Sequence, residues 1–248
     1  MIETDIETAE LAKHACNAFL ALKISYANAL ARICELAGAD IEAVAHVMGS
    51  DDRIGRAFLE AGLGYGGYCF PKDLAAFERL ASKLGYDFPL LREIARINDE
   101  AVEATVAKVR DVLWNVSGKR IAVLGLAFKP HTDDIRYSPS LALGRRLAAL
   151  GGDVVGFDPQ AAANAKDEAA EVQIASDAYE AVAGAHAAVI GTAWPEFRDL
   201  DFVRVRGLMA YPILIDARNV LDGEALADAG FSYYPTGRPP LVAREEDR

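Results

Sequence analysis

The sequence has few of the features that mark secreted, metal-bound or membrane-spanning proteins. Its 248 residues include only three cysteines, and no apolar run reaches the roughly 18 residues that a membrane span requires. The N-terminus is acidic and lacks the basic and apolar parts of a signal peptide. Three cysteines without metal-ligand spacing argue against a disulfide framework and favour a reducing, cytoplasmic location. The four histidines form no cluster along the chain, so we expect no metal site.

Positive charge is also scarce. Lys and Arg number 26 against 37 Asp and Glu, which leaves a net charge of −11 at pH 7. We therefore expect neither nucleic acid nor a membrane as a partner, and an anionic ligand would need local basic residues to overcome the overall field. The hydrophobic content of 52% is ordinary for a globular chain, and the length allows one large or two medium domains.

Residues 1–116 predict a helical domain. Apolar residues recur at helical spacing from Leu11 to Ile33, with Thr4 and Glu7 as a capping box and Gly38 as the stop. Asp40 is the expected cap of a second helix. A short helix is expected over 53–61, another from Pro71 to about Gly85, and a long one over 89–114. At 1.5 Å per residue the long helix would span about 39 Å and could join two lobes.

The pattern changes at Ser117, and residues 117–248 predict a Rossmann-like domain. Buried strands such as "KRIAVLGLAF", "DVVGFDP" and "ILIDARN" alternate with helices, one of them capped by Ser138 with Pro139 in its first turn. Such alternation predicts a doubly wound parallel sheet. The fold class predicted for the chain is therefore α/β, with a helical dimerisation domain and a long connecting helix before the sheet domain.

The stretch "GLGYGGYCFPKD", residues 62–73, presents the most distinctive cysteine. It follows a helix rather than a strand, so it is a poor dinucleotide fingerprint, and a flexible connector remains an alternative. Cys69 stands just before the expected helix start, where the helix dipole and Lys72 favour a thiolate, and Asp73 lies one turn further on. Cys16 and Cys34 instead lie on apolar helical stripes and are interpreted as small core residues.

Two further groups of polar residues are candidates for a site. Lys13 and Asn17, spaced i and i+4 on one helix face, could form an oxyanion or substrate clamp, although an ordinary solvated face gives the same pattern. Lys129 and Arg218 each follow a strand end, which suits a phosphate-bearing ligand. The first strand has only Gly125 in its turn, so this lobe is not expected to hold a pyrophosphate in the usual Rossmann way. Asp158 is interpreted as a turn residue.

Taken together, these motifs resemble the nucleotide-sugar 6-dehydrogenases of the UDP-glucose/GDP-mannose dehydrogenase family. The matching pieces run in family order over nearly the whole chain, and "GYGGYCFPKD" with "AFKPHTDDIRYSPS" is a specific combination. The resemblance implies a central helical domain over 1–116, a Rossmann-like UDP-binding domain over 117–248, and a homodimer formed through the helical domain. The family's N-terminal NAD-binding domain has no counterpart here, so the chain looks like a fragment that is not expected to turn over alone.

The resemblance also implies a role for each matching residue. The implied activity is NAD-dependent oxidation of UDP-glucose to UDP-glucuronate, used in polysaccharide biosynthesis, through a thiohemiacetal and a thioester on a cysteine. Matched one by one, the implied catalytic residues are Cys69, Lys13, Asn17 and Asp73. The implied substrate contacts are Arg53, which would reach a neighbouring subunit's substrate, Tyr65, Gly66, Phe128, Lys129 and Arg218. Lys72 and Arg136 are the implied contacts to NAD.

Two departures and two alternatives accompany this resemblance. Tyr68 stands where many relatives have serine, and Glu60 stands where some have a lysine that touches the substrate. The alternatives are a relative acting on GDP-mannose or UDP-N-acetylmannosamine, and a non-catalytic UDP-sugar-binding dimerisation module. The loop resembles the UDP-glucose branch more closely, and the retained Lys13, Asn17, Cys69 and Asp73 argue against loss of catalysis.

Overall fold

The computed structural model describes residues 2–243, and the first half of this range is helical. Its four helices are α1 (Ile6–Ala37), α2 (Ile41–Gly49), α3 (Cys69–Lys83) and α4 (Pro89–Leu113). Gly38 ends α1 in the left-handed conformation, and the Asp40 side chain caps α2, both as predicted. The long helix α4 packs against both α1 and α3, so these three helices form the body of the first half.

Helix α1 buries mostly small residues and exposes several large ones. The face that packs inward carries Ala18, Ala21, Ser25, Ala27, Asn28, Ala31 and Cys34. Phe19, Tyr26 and Ile33 follow one another at seven-residue spacing on the outside, and Phe19 is 61% exposed. The small inward residues allow close helix packing, while the outward stripe has no cover among the described residues.

Three of the local predictions are wrong. The cap of α1 is Asp5 rather than the predicted Thr4, and the Asp5 side chain accepts the amide of Thr8 at 2.7 Å. A carboxylate caps a helix as well as a threonine hydroxyl does, and its negative charge also suits the helix dipole. Helix α3 starts at Cys69, two residues before the expected Pro71. Proline is tolerated there because the first turn has no amide partners to lose.

The third wrong prediction is the short helix over 53–61, which is a series of turns. Gly55 and Phe58 both have positive φ, which interrupts a right-handed helix. Lys23 on α1 binds the carbonyl oxygens of Ile54 and Gly55, each at 2.9 Å, and so holds the turn in place.

The second half is a six-stranded, all-parallel sheet of order β3-β2-β1-β4-β5-β6. The strands are β1 (Arg120–Leu124), β2 (Asp153–Phe157), β3 (Gln173–Ile174), β4 (Ala187–Ile190), β5 (Ile213–Asp216) and β6 (Ser232–Pro235). The helices are α5 (Pro139–Ala149), α6 (Ala162–Glu168), α7 (Ala178–Val182), α8 (Phe202–Leu208) and α9 (Gly223–Asp228). Strand order reverses between β1 and β4, so the predicted doubly wound α/β fold is confirmed.

Within the second half, the Ser138 cap of α5 is also confirmed, with the Leu141 amide donating to its hydroxyl. Helices α6 and α8 were not predicted. Each is seven residues long.

A single hydrophobic cluster runs from the helices into the sheet. Leu63, Val102 and Val109 of the first half belong to the same buried cluster as Ile121 and Val189 of the sheet. Residues 114–119 connect α4 to β1, and the predicted boundary between 116 and 117 falls in this connection. The shared cluster joins the halves firmly, and their division into two domains stays a prediction.

Candidate active site

The glycine loop, residues 62–67, lies over the carboxyl edge of the sheet. The Gly62 amide is held from α1 by the Asn28 side chain at 2.7 Å, and a Cβ at Gly62 would lie 2.5 Å from the carbonyl oxygen of Ala217, just after β5. Arg218 donates to the carbonyl of Gly64 at 3.3 Å. The loop therefore connects the helices to the edge where parallel sheets of this topology bind ligands.

Glycine is required at the end of this loop because the second half approaches so closely. A Cβ at Gly66 would collide with the carbonyl oxygen of Tyr137 and lie 2.8 Å from Cδ of Pro139. Gly67 has φ of 77° and would place a Cβ 2.7 Å from the ring of Phe128. Its amide donates to the Arg136 carbonyl at 2.9 Å. The backbone is thus pressed against Phe128 immediately before it enters α3.

The Asp73 carboxylate contacts polar and charged side chains of both α1 and α3. Its side chain is 1% exposed, and Oδ2 accepts a hydrogen bond from Asn17 Nδ2 at 2.6 Å. Lys13 Nζ lies 3.6 Å from the same oxygen, and Lys72 Nζ lies 3.3 Å from Oδ1. The structure therefore brings together three of the predicted catalytic side chains with one predicted cofactor contact, across 56 residues of sequence.

This environment keeps Asp73 ionised. Burial raises the pKa of the Asp73 carboxyl, but the hydrogen bond from Asn17 and the nearby ammonium groups of Lys72 and Lys13 outweigh burial, so the net shift is downward. A buried, charged carboxylate one helical turn from an exposed thiol is poised to accept a proton from a water near that thiol.

Cys69 is exposed at the first position of α3, directly after the glycine loop. The ring of its neighbour Tyr68 holds two cations: Lys72 Nζ lies 5.1 Å and Arg136 Cζ 4.9 Å from the ring centroid. Arg136 also pairs with Asp134 at 2.7 Å. Tyr68 thus anchors both predicted cofactor contacts beside the thiol, a role that a serine there could not fill.

Arg218 is fixed at the other end of the loop. Its Nε donates to the carbonyl of Gly191 at 2.7 Å, and its Nη2 is enclosed without a hydrogen-bond partner among residues 2–243. Burial lowers the pKa of Arg218 to about 10, so the side chain is still charged at neutral pH. An anchored guanidinium with an unused donor at a sheet edge suits an anionic ligand.

The remaining predicted substrate contacts differ in position. Phe128 is half-buried against the loop and Lys129 is exposed, with its Nζ 5.3 Å from the Phe128 ring centroid. Tyr65 is buried, and Asn98 binds both its amide and its carbonyl. Arg53 forms an ion pair with Asp51 at 2.6 Å. Its side chain is nevertheless 87% exposed, so a neighbouring molecule can reach it.

Two residues at this site were missed by sequence reasoning. His14 was dismissed with the other scattered histidines, yet its Nδ1 lies 3.8 Å from Oδ1 of Asp73. Asp158 does form the predicted turn, accepting the Gln160 and Ala161 amides, but its Oδ2 also binds the amides of Leu126 and Ala127. His14 had a signal, since it lies beside Lys13 on α1. The second set of Asp158 contacts had none, because these partners are about 30 residues away.

The cysteine assignments need one correction. Cys34 is buried as expected, but Cys16 is exposed, because α1 turns its small residues inward and Cys16 lies outside that face. Among the described residues, no group of three His, Cys, Asp or Glu side chains is arranged to hold a metal ion. Within the same residues, no helix combines the length and apolarity that crossing a membrane would take.

Comparison with known proteins places both halves of the chain. Residues 7–100 match the central domain of the UDP-glucose/GDP-mannose dehydrogenase family, and residues 122–223 match the UDP binding domain of that family. The chain is 46% identical over 243 residues to UDP-glucose 6-dehydrogenase YwqF of Bacillus subtilis, covering 97% of this chain and 55% of the relative. It is 42% identical over 246 residues to UDP-glucose 6-dehydrogenase TuaD of the same organism, covering 99% and 53%.

Among solved structures, the chain is similar to a UDP-glucose dehydrogenase from the hyperthermophilic archaeon Pyrobaculum islandicum. The TM-score is 0.78 with 36% sequence identity, over 85% of this chain and 47% of that one. The chain thus spans about half the length of the relatives that it matches.

Proposed function

Because the chain belongs to the UDP-glucose/GDP-mannose dehydrogenase family, we propose that it carries the thiol and nucleotide-sugar sites of a UDP-glucose 6-dehydrogenase. The proposed reaction oxidises the C6 alcohol of UDP-glucose to the carboxylate of UDP-glucuronate, for polysaccharide biosynthesis. One observation carries the proposal. The glycine loop leads from Arg218, a fixed cation with a free donor, to Cys69, one turn from the buried carboxylate of Asp73.

Cys69 is the proposed nucleophile. The C6 aldehyde formed from the alcohol is attacked by the Cys69 thiolate, which gives a thiohemiacetal, and oxidation of that adduct gives a thioester. NAD, when bound, supplies the chemistry of both oxidations by accepting a hydride in each. The exposed position of Cys69 at the start of α3 leaves its sulfur open to a sugar carbon.

Lys13, Asn17 and Asp73 are the proposed partners of Cys69. Lys13 and Asn17 stabilise the oxyanion that develops when C6 becomes tetrahedral, and they hold the attacking water. Asp73 takes a proton from that water, so that the thioester is hydrolysed and the thiolate is released. The Asn17 hydrogen bond and the Lys13 charge, which lower the pKa of Asp73, keep it able to accept this proton.

The nucleotide-sugar contacts are proposed at the sheet edge. Arg218 and Lys129 bind the diphosphate, Phe128 packs against the sugar nucleotide, and the Gly66 backbone contacts the sugar. The ring of Tyr65 lies in the core and its amide donates to Asn98, so Tyr65 contributes through the second acceptor position of its backbone carbonyl. Arg53 is proposed to act on the neighbouring subunit's substrate.

The described residues fit only part of the cofactor. Lys72 and Arg136, gathered by Tyr68 beside Cys69, fit an anionic dinucleotide and would contact NAD. The turn after β1 offers no pyrophosphate cradle, because the Leu126 and Ala127 amides already donate to Asp158. We therefore propose that this chain needs a further NAD-binding unit for turnover. The sparse, unpaired cysteines support a cytoplasmic location.

We further propose a homodimer formed through the exposed stripe of α1, defined by Phe19, Tyr26 and Ile33. Such a stripe is an expected docking face for a second copy. Sedimentation equilibrium at micromolar concentration should give twice the mass of one chain. Phe19→Glu should give a monomer, whereas Val203→Glu, at an exposed position on α8, should remain dimeric. A monomeric wild type would contradict the dimer.

Calorimetric titration tests the substrate assignment. We expect UDP-glucose to bind the chain more tightly than GDP-mannose, UDP-N-acetylmannosamine or UDP alone, because both the sugar and the phosphate contacts lie on this chain. Preferential binding of GDP-mannose or UDP-N-acetylmannosamine would move the assignment to that substrate. Binding of none of the four would contradict the proposal that these residues form a nucleotide-sugar site.

A further inference from the structure

Two enclosed atoms near the thiol face each other without hydrogen-bond partners. His14 Nδ1 and Asp73 Oδ1 are both buried, lie 3.8 Å apart, and make no hydrogen bond with any residue in 2–243. The other oxygen of Asp73 is already occupied by Asn17. Oδ1 lies 3.3 Å from Lys72 Nζ but accepts no hydrogen bond within the described part of the chain, so it is the oxygen of Asp73 that can take up a proton, and His14 is placed to receive that proton.

His14 connects this enclosed position to solvent. Its ring is half-buried and stacks on Phe77 of α3, with centroids 6.2 Å apart and an interplanar angle of 22°. Of its two ring nitrogens only Nδ1 is enclosed. Asp73, at 1% exposure, has almost no contact with bulk water. An imidazole between a buried carboxylate and solvent can take a proton at one nitrogen and release one from the other.

We propose that His14 is the proton relay of Asp73 during hydrolysis of the thioester on Cys69, an inference that rests on the function proposed above. Water adds its oxygen to the thioester carbonyl carbon, and one of its protons moves to Asp73 Oδ1. The C–S bond breaks, Cys69 leaves as the thiolate, and a carboxylic acid forms. Asp73 then passes its proton to Nδ1 of His14, which releases another proton from Nε2 to solvent. The carboxylate of Asp73 is thereby restored.

The surrounding charges favour this direction. The charged groups that the structure places around the pair are Lys13 on α1 and Lys72 on α3, with Lys72 Nζ 3.3 Å from Oδ1. Both cations favour the ionised form of Asp73. A proton that Asp73 takes up is therefore given up again rather than kept on the carboxyl group.

The relay can be tested on this chain without a cofactor. In a Cys16→Ser background, p-nitrophenyl acetate is used to acetylate Cys69, and loss of the acetyl group is followed by mass spectrometry. General-base catalysis contributes about 10²–10⁴-fold, so Asp73→Asn should slow hydrolysis by at least about 100-fold. We expect His14→Leu to slow it by about 10-fold, and free imidazole in solution to restore several-fold of that loss, which a purely structural role would not allow.

Three controls separate the possible outcomes. His14→Asn keeps a donor near the Nδ1 position but cannot carry a proton, so it should be as slow as His14→Leu. His46→Leu, at an exposed position on α2, should hydrolyse at the wild-type rate. Melting temperatures check that each variant folds. If His14→Leu does not fold, His14→Gln serves as a second variant that cannot relay a proton.

The outcomes distinguish this inference from the function on which it rests. Wild-type rates in His14→Leu together with slow hydrolysis in Asp73→Asn would overturn the relay and leave the proposed function intact. Full activity in His14→Asn would also overturn the relay, since only a hydrogen-bond donor would then be needed. Wild-type rates in Asp73→Asn would overturn the hydrolytic role of Asp73, and the relay with it.

Discussion

Asp158→Ala is expected to lower the free energy of unfolding by about 3–5 kcal/mol, because each buried donor left unsatisfied costs about 1–3 kcal/mol. Asp158 Oδ2 accepts the amides of Leu126 and Ala127 and the indole Nε1 of Trp194, at 2.7–3.0 Å. These bonds hold the turn after β1 and the loop after β4 together at the carboxyl edge. Urea denaturation followed by circular dichroism measures the change.

Matched substitutions show whether the effect belongs to this network. Asp158→Asn keeps the shape and one acceptor, so it should lose less stability than Asp158→Ala. Asp167→Ala, the same change at an exposed position on α6, should alter stability by no more than about 0.5 kcal/mol. If the free energy of unfolding of Asp158→Ala lay within about 1 kcal/mol of the wild-type value, the network would not stabilise this edge of the sheet.

Arg218→Ala is expected to weaken UDP-glucose binding by about 10- to 100-fold. Loss of a hydrogen bond to a charged group costs about 1.5–3 kcal/mol, and each 1.4 kcal/mol is a factor of ten in affinity. Arg218 is anchored to Gly191 and Gly64 and keeps Nη2 free, so a bound phosphate would gain a donor that is already in place. Calorimetric titration gives the change in Kd.

Two companions make the Arg218 result interpretable. Arg218→Lys keeps the charge but not the planar donors, so its affinity should fall between those of the wild type and Arg218→Ala. Arg92→Ala removes an equal charge from α4, where Arg92 pairs with Asp87, and should bind as the wild type does. Unchanged affinity in a folded Arg218→Ala would place the phosphate elsewhere.

Several features of the fold follow from signals that lie within a few residues of one another. Gly38, Asp40 and Ser138 mark helix ends because their effects act within one turn of backbone. The buried strands of the second half alternate with helices closely enough to predict the parallel sheet. The cysteine loop was identified by its residue types at fixed spacing, which needs no tertiary information.

Local signals failed where a distant residue decided the conformation. The helix expected over 53–61 is replaced by turns whose carbonyls bind Lys23, about 30 residues earlier. Cys16 was expected to be buried because an apolar stripe shows period but not which face meets a neighbour. In both cases the outcome depends on how α1 packs.

The sequence alone determined the family resemblance, the α/β class and the set of candidate residues, because composition, spacing and caps are local properties of the chain. Only the tertiary structure decided that Asn17 on α1 and Asp73 on α3 share a hydrogen bond, and that His14 faces the free oxygen of that carboxylate. Those contacts join residues more than 50 positions apart, and their geometry is set by the packing of α1 against α3. Local sequence patterns carry no measure of that packing.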